Sequence, residues 1–194
     1  MKNLLPVLTA TSLLLTSCGG SVQTKTLQDH LKNPLYAERY YDTLVDTLVE
    51  LDIQNDPLLK DAGKKATVDS VRRDALAKAK AATASQHSGA TGQFIGAKEF
   101  VKGRVFFIDS TVYLGPEFEA TPGVELHLIL SQTVDPRDGK FPDDSAIDVG
   151  PILSAYGEQS YVLDKKLDKP DLYRTLVLYD KKLERVYGFA QLAK

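Results

Sequence analysis

The chain has 194 residues, of which 43% are hydrophobic and 26% charged, a composition typical of a globular protein. The formal net charge of −2 comes from 24 basic and 26 acidic side chains with interspersed signs, and no basic stripe indicates a nucleic-acid partner. The length suits one main domain with an appendage.

The N-terminus has the features of a bacterial lipoprotein signal. Lys2 gives it a positive start, and the apolar stretch Leu4–Leu15 is too short to span a bilayer as a stable helix. The ending Leu15-Thr16-Ser17-Cys18 resembles a lipobox, in which the cysteine is lipidated and becomes the first residue of the mature protein. We therefore expect a lipoprotein signal peptide over residues 1–17 and a protein that contacts the membrane through Cys18.

The use of sulfur limits the chemistry of the mature chain. Cys18 is the single cysteine and Met1 the single methionine, so a lipidated mature protein would contain no free thiol, no disulfide and no methionine. Gly19 after the cysteine argues, by resemblance to enteric lipoproteins, for the outer membrane of the cell envelope. Residues 18–26 are small and polar, which is typical of a flexible tether.

A helical hairpin is predicted over residues 27–84. Asn33-Pro34 and Asp56-Pro57 each place a capping residue before a proline suited to the first helical position. Apolar residues repeat at helical spacing to about Leu51, and a second long helix is predicted over about 66–82. The stripes span too few heptads for a lone coiled coil, so we favour packing on each other or on the next domain over partner binding.

The helical tyrosines leave two interpretations open. Tyr36, Tyr40 and Tyr41 can line a recognition surface, or they can cover a core with the hydroxyl groups outward.

The second half of the chain has the alternation of β-strands. Residues 85–91 are small and polar and predict a linker. In Val124–Ser131 apolar side chains alternate with polar ones, which predicts a half-buried strand, and Leu172–Leu192 contains two β-prone runs that predict a closing hairpin. The predicted fold is α+β: a helical hairpin followed by an all-β antiparallel sandwich or squashed barrel of about seven to nine strands over 92–194.

Few residues are candidates for binding or catalysis. His30 and His87 are expected to be solvated, whereas His127 lies on the polar face of a predicted strand and can act as a ligand or an acid–base group; an ordinary surface histidine is the alternative. One predicted loop is rich in carboxylates, which are weak candidates for calcium binding or plain solvated residues: Asp135, Asp138, Asp143 and Asp144. The sequence has no nucleophile elbow, phosphate-binding loop or metalloprotease helix, so we expect no enzyme and no cofactor.

The order of the β-segments resembles the DM13 domain, a family of proposed electron-transfer modules. The matching blocks are Gly92–Phe94, Gly103–Val105, Gly123–Ser131, Asp148–Leu153, Gly157–Tyr161, Leu176–Tyr179 and Val186–Leu192. The resemblance implies a redox cysteine just after the penultimate strand, and Asp180 occupies that position here. A carboxylate cannot replace a thiolate in redox chemistry, and the mature chain offers no cysteine or methionine as a haem ligand.

These observations favour a non-enzymatic binding or scaffolding module, lipid-anchored in the cell envelope, with an envelope protein as its partner. The alternative is a redox or electron-transfer accessory protein that binds a metal or haem without cysteine ligands, with His127 as the candidate ligand.

Overall fold

A computed structural model describes residues 25–194. Cys18, the signal peptide at 1–17 and nearly all of the tether lie outside these residues, so the lipid anchor stays a prediction from the sequence. Within residues 25–194 no helix is both long enough and apolar enough to cross a bilayer.

In residues 25–89, three α-helices and a short 3₁₀ turn precede the sheet. They are α1 (Leu27–His30), α2 (Pro34–Ile53), the 3₁₀ turn Pro57–Lys60 and α3 (Ala62–Gln86). The Asn33 side chain accepts a hydrogen bond from the Leu35 N–H at 3.0 Å and caps α2 immediately before Pro34, as the sequence predicts.

The second long helix extends beyond its predicted ends. The Asp61 carboxylate accepts a hydrogen bond from the Lys64 N–H at 2.9 Å, so α3 begins there and Gly63 lies in its first turn. At the other end, the buried Gln86 side chain donates to the Pro34 carbonyl at 3.3 Å, which holds the small polar residues there in helical form. The predicted linker 85–91 is therefore short: residues 87–89 alone separate α3 from the first strand.

Ten strands follow. They are β1 (Ala90–Gly96), β2 (Val101–Lys102), β3 (Arg104–Ile108), β4 (Thr111–Leu114), β5 (Glu119–Ala120), β6 (Leu126–Ser131), β7 (Ile147–Pro151), β8 (Gln159–Val162), β9 (Thr175–Asp180) and β10 (Arg185–Gln191). Eight of them form one antiparallel sheet in the order β7-β6-β9-β10-β1-β3-β4-β8, whose end strands β7 and β8 approach each other, while β2 and β5 form a separate ribbon. The predicted architecture, helices followed by an antiparallel sandwich or barrel-like sheet, is confirmed.

Strand β1 belongs to both halves of this sheet. Its residues 90–93 pair with β3, and residues 94–96 pair with β10. The second pairing needs glycine at position 188, because a Cβ there would lie 2.6 Å from the Ile95 carbonyl oxygen. The sheet can therefore curve around one core without a break between its halves.

The main core fills the inside of this nearly closed sheet. Leucines from β4, β6 and β9 are fully buried there: Leu114, Leu128, Leu130, Leu176 and Leu178. Their burial removes a large apolar area from water, which stabilises the domain.

A second apolar cluster lies on the outer face of the sheet, which the sequence predicts to be polar on β6. Ile129, Val177 and Phe189 are buried there because residues 132–146 fold over them. The Phe141 ring packs edge-on against the Tyr179 ring at 5.4 Å, and the Arg137 guanidinium lies 4.9 Å from the Phe189 ring centroid. Strands β6 and β9 are thus covered on both faces.

The helical hairpin packs on itself and on the sheet, as favoured from its sequence. Helices α2 and α3 are in extensive contact, and α2 also contacts β3 and β4. The buried Asn33 amide donates to the Leu114 carbonyl at 2.8 Å. Arg104 of β3 donates to Glu38 of α2 at 2.7 Å and also to Gln86 of α3, so one guanidinium joins three elements.

Candidate functional site

Asp180, at the position implied for the family cysteine, ends β9 and is fully buried. Its Oδ2 accepts hydrogen bonds from the Val124 N–H at 2.7 Å and the Glu125 N–H at 3.4 Å. Its Oδ1 accepts from the Lys182 and Leu183 N–H groups, each at 3.0 Å. The carboxylate therefore joins the turn of the closing hairpin to the segment that leads into β6.

The four N–H groups also decide the charge of Asp180. Burial alone would favour the neutral acid, but the backbone hydrogen bonds outweigh it and hold the pKa of this carboxyl below its ordinary value. Four amide dipoles converging on one oxygen pair form a nest for an anion. Asp180 is thus a charged structural group at neutral pH.

Two buried tyrosines lie near this charge. Burial, followed by the charges of Glu184 and Asp180, raises the pKa of Tyr179. Burial, followed by the charge of Asp180, likewise raises the pKa of Tyr187. Both side chains therefore remain neutral phenols at physiological pH.

His127 lies on the neighbouring strand β6, directly opposite Tyr179 in the ladder. Its Nδ1 is 2.8 Å from Asp148 Oδ1 and 3.0 Å from Asp148 Oδ2, and its Nε2 is 3.8 Å from the Glu125 carboxylate. The side chain is 13% exposed. His127 is thus a partly buried residue that contacts Asp148, with Glu125 at a longer distance.

Lysines of the closing hairpin complete this charged cluster. Lys181 Nζ lies 2.9 Å from Asp148, and Lys182 Nζ lies 3.6 Å from Glu125. Burial opposes ionisation of Asp148, but its bonds to His127 and Lys181 prevail and hold the pKa of this carboxyl below its ordinary value. The structure therefore places Asp180 and His127 on paired strands at one corner of the sheet, and His127 belongs to a network of opposite charges there.

This corner lacks a metal-ligand constellation. Within residues 25–194 the structure assembles no group of three or more His, Cys, Asp or Glu side chains that could hold a metal ion. His127 therefore has carboxylate neighbours without the geometry of a metal site.

The acidic loop does not gather its carboxylates either. Asp135 forms an ion pair with Arg137, whose hydrogen bond holds the pKa of that carboxyl below its usual range. Asp143 accepts from the Ser131 hydroxyl at 2.5 Å and from the Ser145 N–H at 2.7 Å. The remaining two candidates, Asp138 and Asp144, are exposed. The geometry gives the calcium hypothesis no support.

The other histidines differ from each other. His87 is exposed, as expected. His30 is not simply solvated: its Nδ1 contacts the carboxylate of Glu158, which is 8% exposed, and its ring stacks on Tyr36 with centroids 5.2 Å apart. Lys25 Nζ lies 3.5 Å from the same carboxylate. This contact between α1 and the residue before β8 has no local sequence signal, because its partners are 128 residues apart.

A groove runs along the exposed face of α2 where the helix meets the loop after β4. Its cavity volume is about 480 Å³, and it is lined by Tyr36, Arg39, Tyr40, Thr43, Leu44, Thr47 and Pro116. The rings of Tyr36 and Tyr40 have centroids 6.3 Å apart and an angle of 13° between their planes. Two of the three tyrosines suggested as a recognition surface thus share one groove.

Comparison with known proteins gives one match. No curated protein and no solved structure matches the chain. A family model described as "Electron transfer DM13" matches residues 93–192, which extend from β1 to just past the end of β10 and make up about half of the chain. This matched range agrees with the range of the sequence blocks that carry the resemblance, from Gly92 to Leu192. The chain therefore belongs to the DM13 family.

Proposed function

We propose that this protein is a lipid-anchored component of the bacterial cell envelope whose DM13 domain is a non-enzymatic binding or scaffolding module. The family description indicates a redox-related role for DM13 domains in general. At the position where the resemblance implies a redox cysteine, this chain has the buried carboxylate of Asp180, which argues that it departs from that role. Its partner is expected to be another envelope protein.

The observation that carries the proposal is that the Asp180 carboxylate is fully occupied by hydrogen bonds from the backbone. Both oxygens accept backbone hydrogen bonds, and the group is buried and charged. A carboxylate does not undergo the reversible one- or two-electron chemistry of a thiolate. The position that the resemblance assigns to redox chemistry therefore contributes to the stability of the fold.

The redox part of the proposal can be tested on the full chain, purified from a bacterial envelope and examined by visible absorption and protein-film voltammetry. We expect a featureless visible spectrum and no reversible couple. The Asp180→Cys variant, analysed identically, is the matched control that restores a thiol at this position. A reversible couple or haem bands in the wild-type protein would overturn the proposal.

The second candidate function is a redox accessory protein with a metal or haem held without sulfur. Its candidate ligand is His127, which lies beside Asp148 and Glu125. Because the described residues assemble no group of three metal ligands, a bound metal or haem would need a further ligand from outside this cluster. It predicts a metal or haem in protein isolated from its host, lost in His127→Ala and retained in His87→Ala, where the replaced histidine is exposed. Elemental analysis of the three proteins distinguishes the two functions.

The anchor is tested independently of the domain. Metabolic labelling with a fatty acid should label the wild-type chain and leave Cys18→Ser unlabelled, and mass spectrometry should find a lipidated cysteine as the first residue. An unmodified Cys18 in envelope-derived protein would refute the anchor while leaving the conclusion about Asp180 intact.

A further inference from the structure

The groove on α2, defined by Tyr36, Arg39, Tyr40, Thr43, Leu44, Thr47 and Pro116 and called the α2 groove below, has a distinctive composition. Tyrosine combines an apolar ring with a polar tip, and side chains of this type are enriched where hydrocarbon meets water. The groove also contains the hydroxyl groups of two threonines and a single charged side chain, Arg39.

Arg39 is available for an external anion. Its side chain is exposed, and it forms no ion pair with any carboxylate in the part of the chain that the structure describes. With about 100° of rotation per residue, Asp42 and Asp46 lie on the flank of α2 beside the groove and not among the residues that line it. A guanidinium in this setting suits the phosphate of a lipid headgroup.

The position of the groove relative to the proposed anchor is the second, independent observation. The helical cap Thr26 is eight residues after Cys18, a separation that an extended chain spans in at most ~27 Å. The start of α1 therefore cannot move farther than this from the lipidated residue. The ring of His30, at the end of α1, stacks on Tyr36 at the near end of the groove.

Contacts with the β-domain keep that end of the molecule in place. Glu158 contacts both Lys25 and His30, and the Asn33 amide donates to Leu114 of β4. The first described residues of the chain are thus joined to the sheet. A short tether of this kind brings one side of the domain, the side with the α2 groove, toward the bilayer surface.

From these observations we infer that the α2 groove rests on the headgroup layer of the membrane that holds the lipid anchor, with its tyrosine rings at the polar boundary and Arg39 on a lipid phosphate. This inference rests on the proposed lipidation of Cys18. It adds a second membrane contact to the acyl chains and fixes which face of the DM13 domain points away from the membrane, toward its partner.

The test uses the lipidated full chain in vesicles of phosphatidylethanolamine and phosphatidylglycerol. Since lipidation consumes the natural thiol, one introduced cysteine carries a single fluorophore. Thr43→Cys places the label in the α2 groove, where the Thr43 side chain is exposed. Lys140→Cys places it on the exposed loop over β9 and β10, several strands away from the β3 and β4 strands that α2 contacts.

Quenching by headgroup-labelled lipid is the measurement. We expect strong loss of fluorescence from the label at position 43 and little loss from the label at position 140. Adding Arg39→Gln to the Thr43→Cys protein should reduce that quenching, because the contact with the lipid phosphate is lost. Equal quenching at the two positions in a lipidated protein would overturn the inference.

Two further outcomes distinguish a failure of the proposed membrane contact from a failure of the proposed lipid anchor. A chain that takes up two labels has a free Cys18, which refutes the anchor and the inference that rests on it together. If the label at position 43 is protected in whole envelopes but not in protein-free vesicles, another protein or a glycan occupies the α2 groove, and the membrane assignment is wrong while the anchor stands.

Discussion

The Asp180 carboxylate accepts a 2.7 Å hydrogen bond from the backbone N–H of Val124, a residue 56 positions earlier in the chain. The same side chain accepts from two N–H groups of its own turn. One carboxylate thus reinforces the contact between two segments that are also joined by the hydrogen bond from the Lys181 N–H to the Glu125 carbonyl at 3.0 Å. Its replacement is the most direct probe of what this position does in the protein.

We expect Asp180→Asn to lower the free energy of unfolding by ~2–4 kcal/mol. The asparagine amide can accept hydrogen bonds at one atom, and its NH₂ group would face backbone donors that it cannot satisfy. Denaturant unfolding measures the change. Asp138→Asn, on an exposed loop, is the matched control and should leave the midpoint where it is; equal midpoints for all three proteins would contradict the structural role.

The contribution of Asp180 should depend on pH in a defined direction. Its pKa in the folded protein lies below the ordinary value of 3.8, so the folded state favours the charged form. This stabilisation is fully present above the unfolded-state pKa and is lost as the pH falls through the lower folded-state pKa. The stability difference between wild type and Asp180→Asn should therefore shrink between about pH 5 and pH 2. A difference that grows on acidification would show that the charge destabilises the fold.

Glu38 and Arg104 should be energetically coupled, because their 2.7 Å bond joins α2 to β3. Burial opposes the charge on Glu38, yet the bonds from Arg104 and Gln86 hold the pKa of this carboxyl below its ordinary value. We expect Glu38→Gln and Arg104→Met each to cost ~1–2 kcal/mol, with a coupling of ~1 kcal/mol in the double-mutant cycle.

The exposed pair of Lys78 and Asp74 on α3 provides the control cycle for this measurement. Surface pairs of this kind contribute little, so the corresponding substitutions Asp74→Asn and Lys78→Met should show no resolvable coupling. Coupling of equal size in the two cycles would mean that the Arg104 contact does not hold the hairpin to the sheet.

Phe141 should keep residues 132–146 on the outer face of the sheet. Its half-buried ring packs on Tyr179, so Phe141→Ala is expected to lower stability by ~1–2 kcal/mol and to speed proteolysis within the loop. Lys140→Ala, one residue away and exposed, is the control. Limited proteolysis followed by mass spectrometry locates the cleavage, and unchanged rates in Phe141→Ala would argue against this packing.

Features set by neighbouring residues were predictable from the sequence. The Asn33-Pro34 start of α2 depends on capping and on the fixed φ of proline, and both act within a few residues. The closing hairpin follows from two apolar runs around a charged break, and it appears as β9 and β10. Its turn residue Asp180 could be located in the sequence, but its burial could not.

The features that were missed depend on contacts between distant residues. The donors to Asp180 include Val124, and the partner of His30 is Glu158. The outer face of β6 was expected to be polar because His127 and Ser131 lie on it. The loop over that face is rich in Asp and Pro, and it was not expected to supply an apolar cover, yet its Phe141 does so. Helix α3 runs to Gln86 because of side-chain bonds to α2 that helical periodicity does not contain.

The pairing of strand β1 with strands of both halves of the sheet affects how the domain unfolds. Since its first residues pair with β3 and its last residues with β10, neither half of the sheet can open without removing a ladder from the other. The hydrogen bonds of both halves should therefore exchange with solvent deuterium through a common opening event, at closely similar free energies. The DM13 domain then unfolds as one cooperative unit.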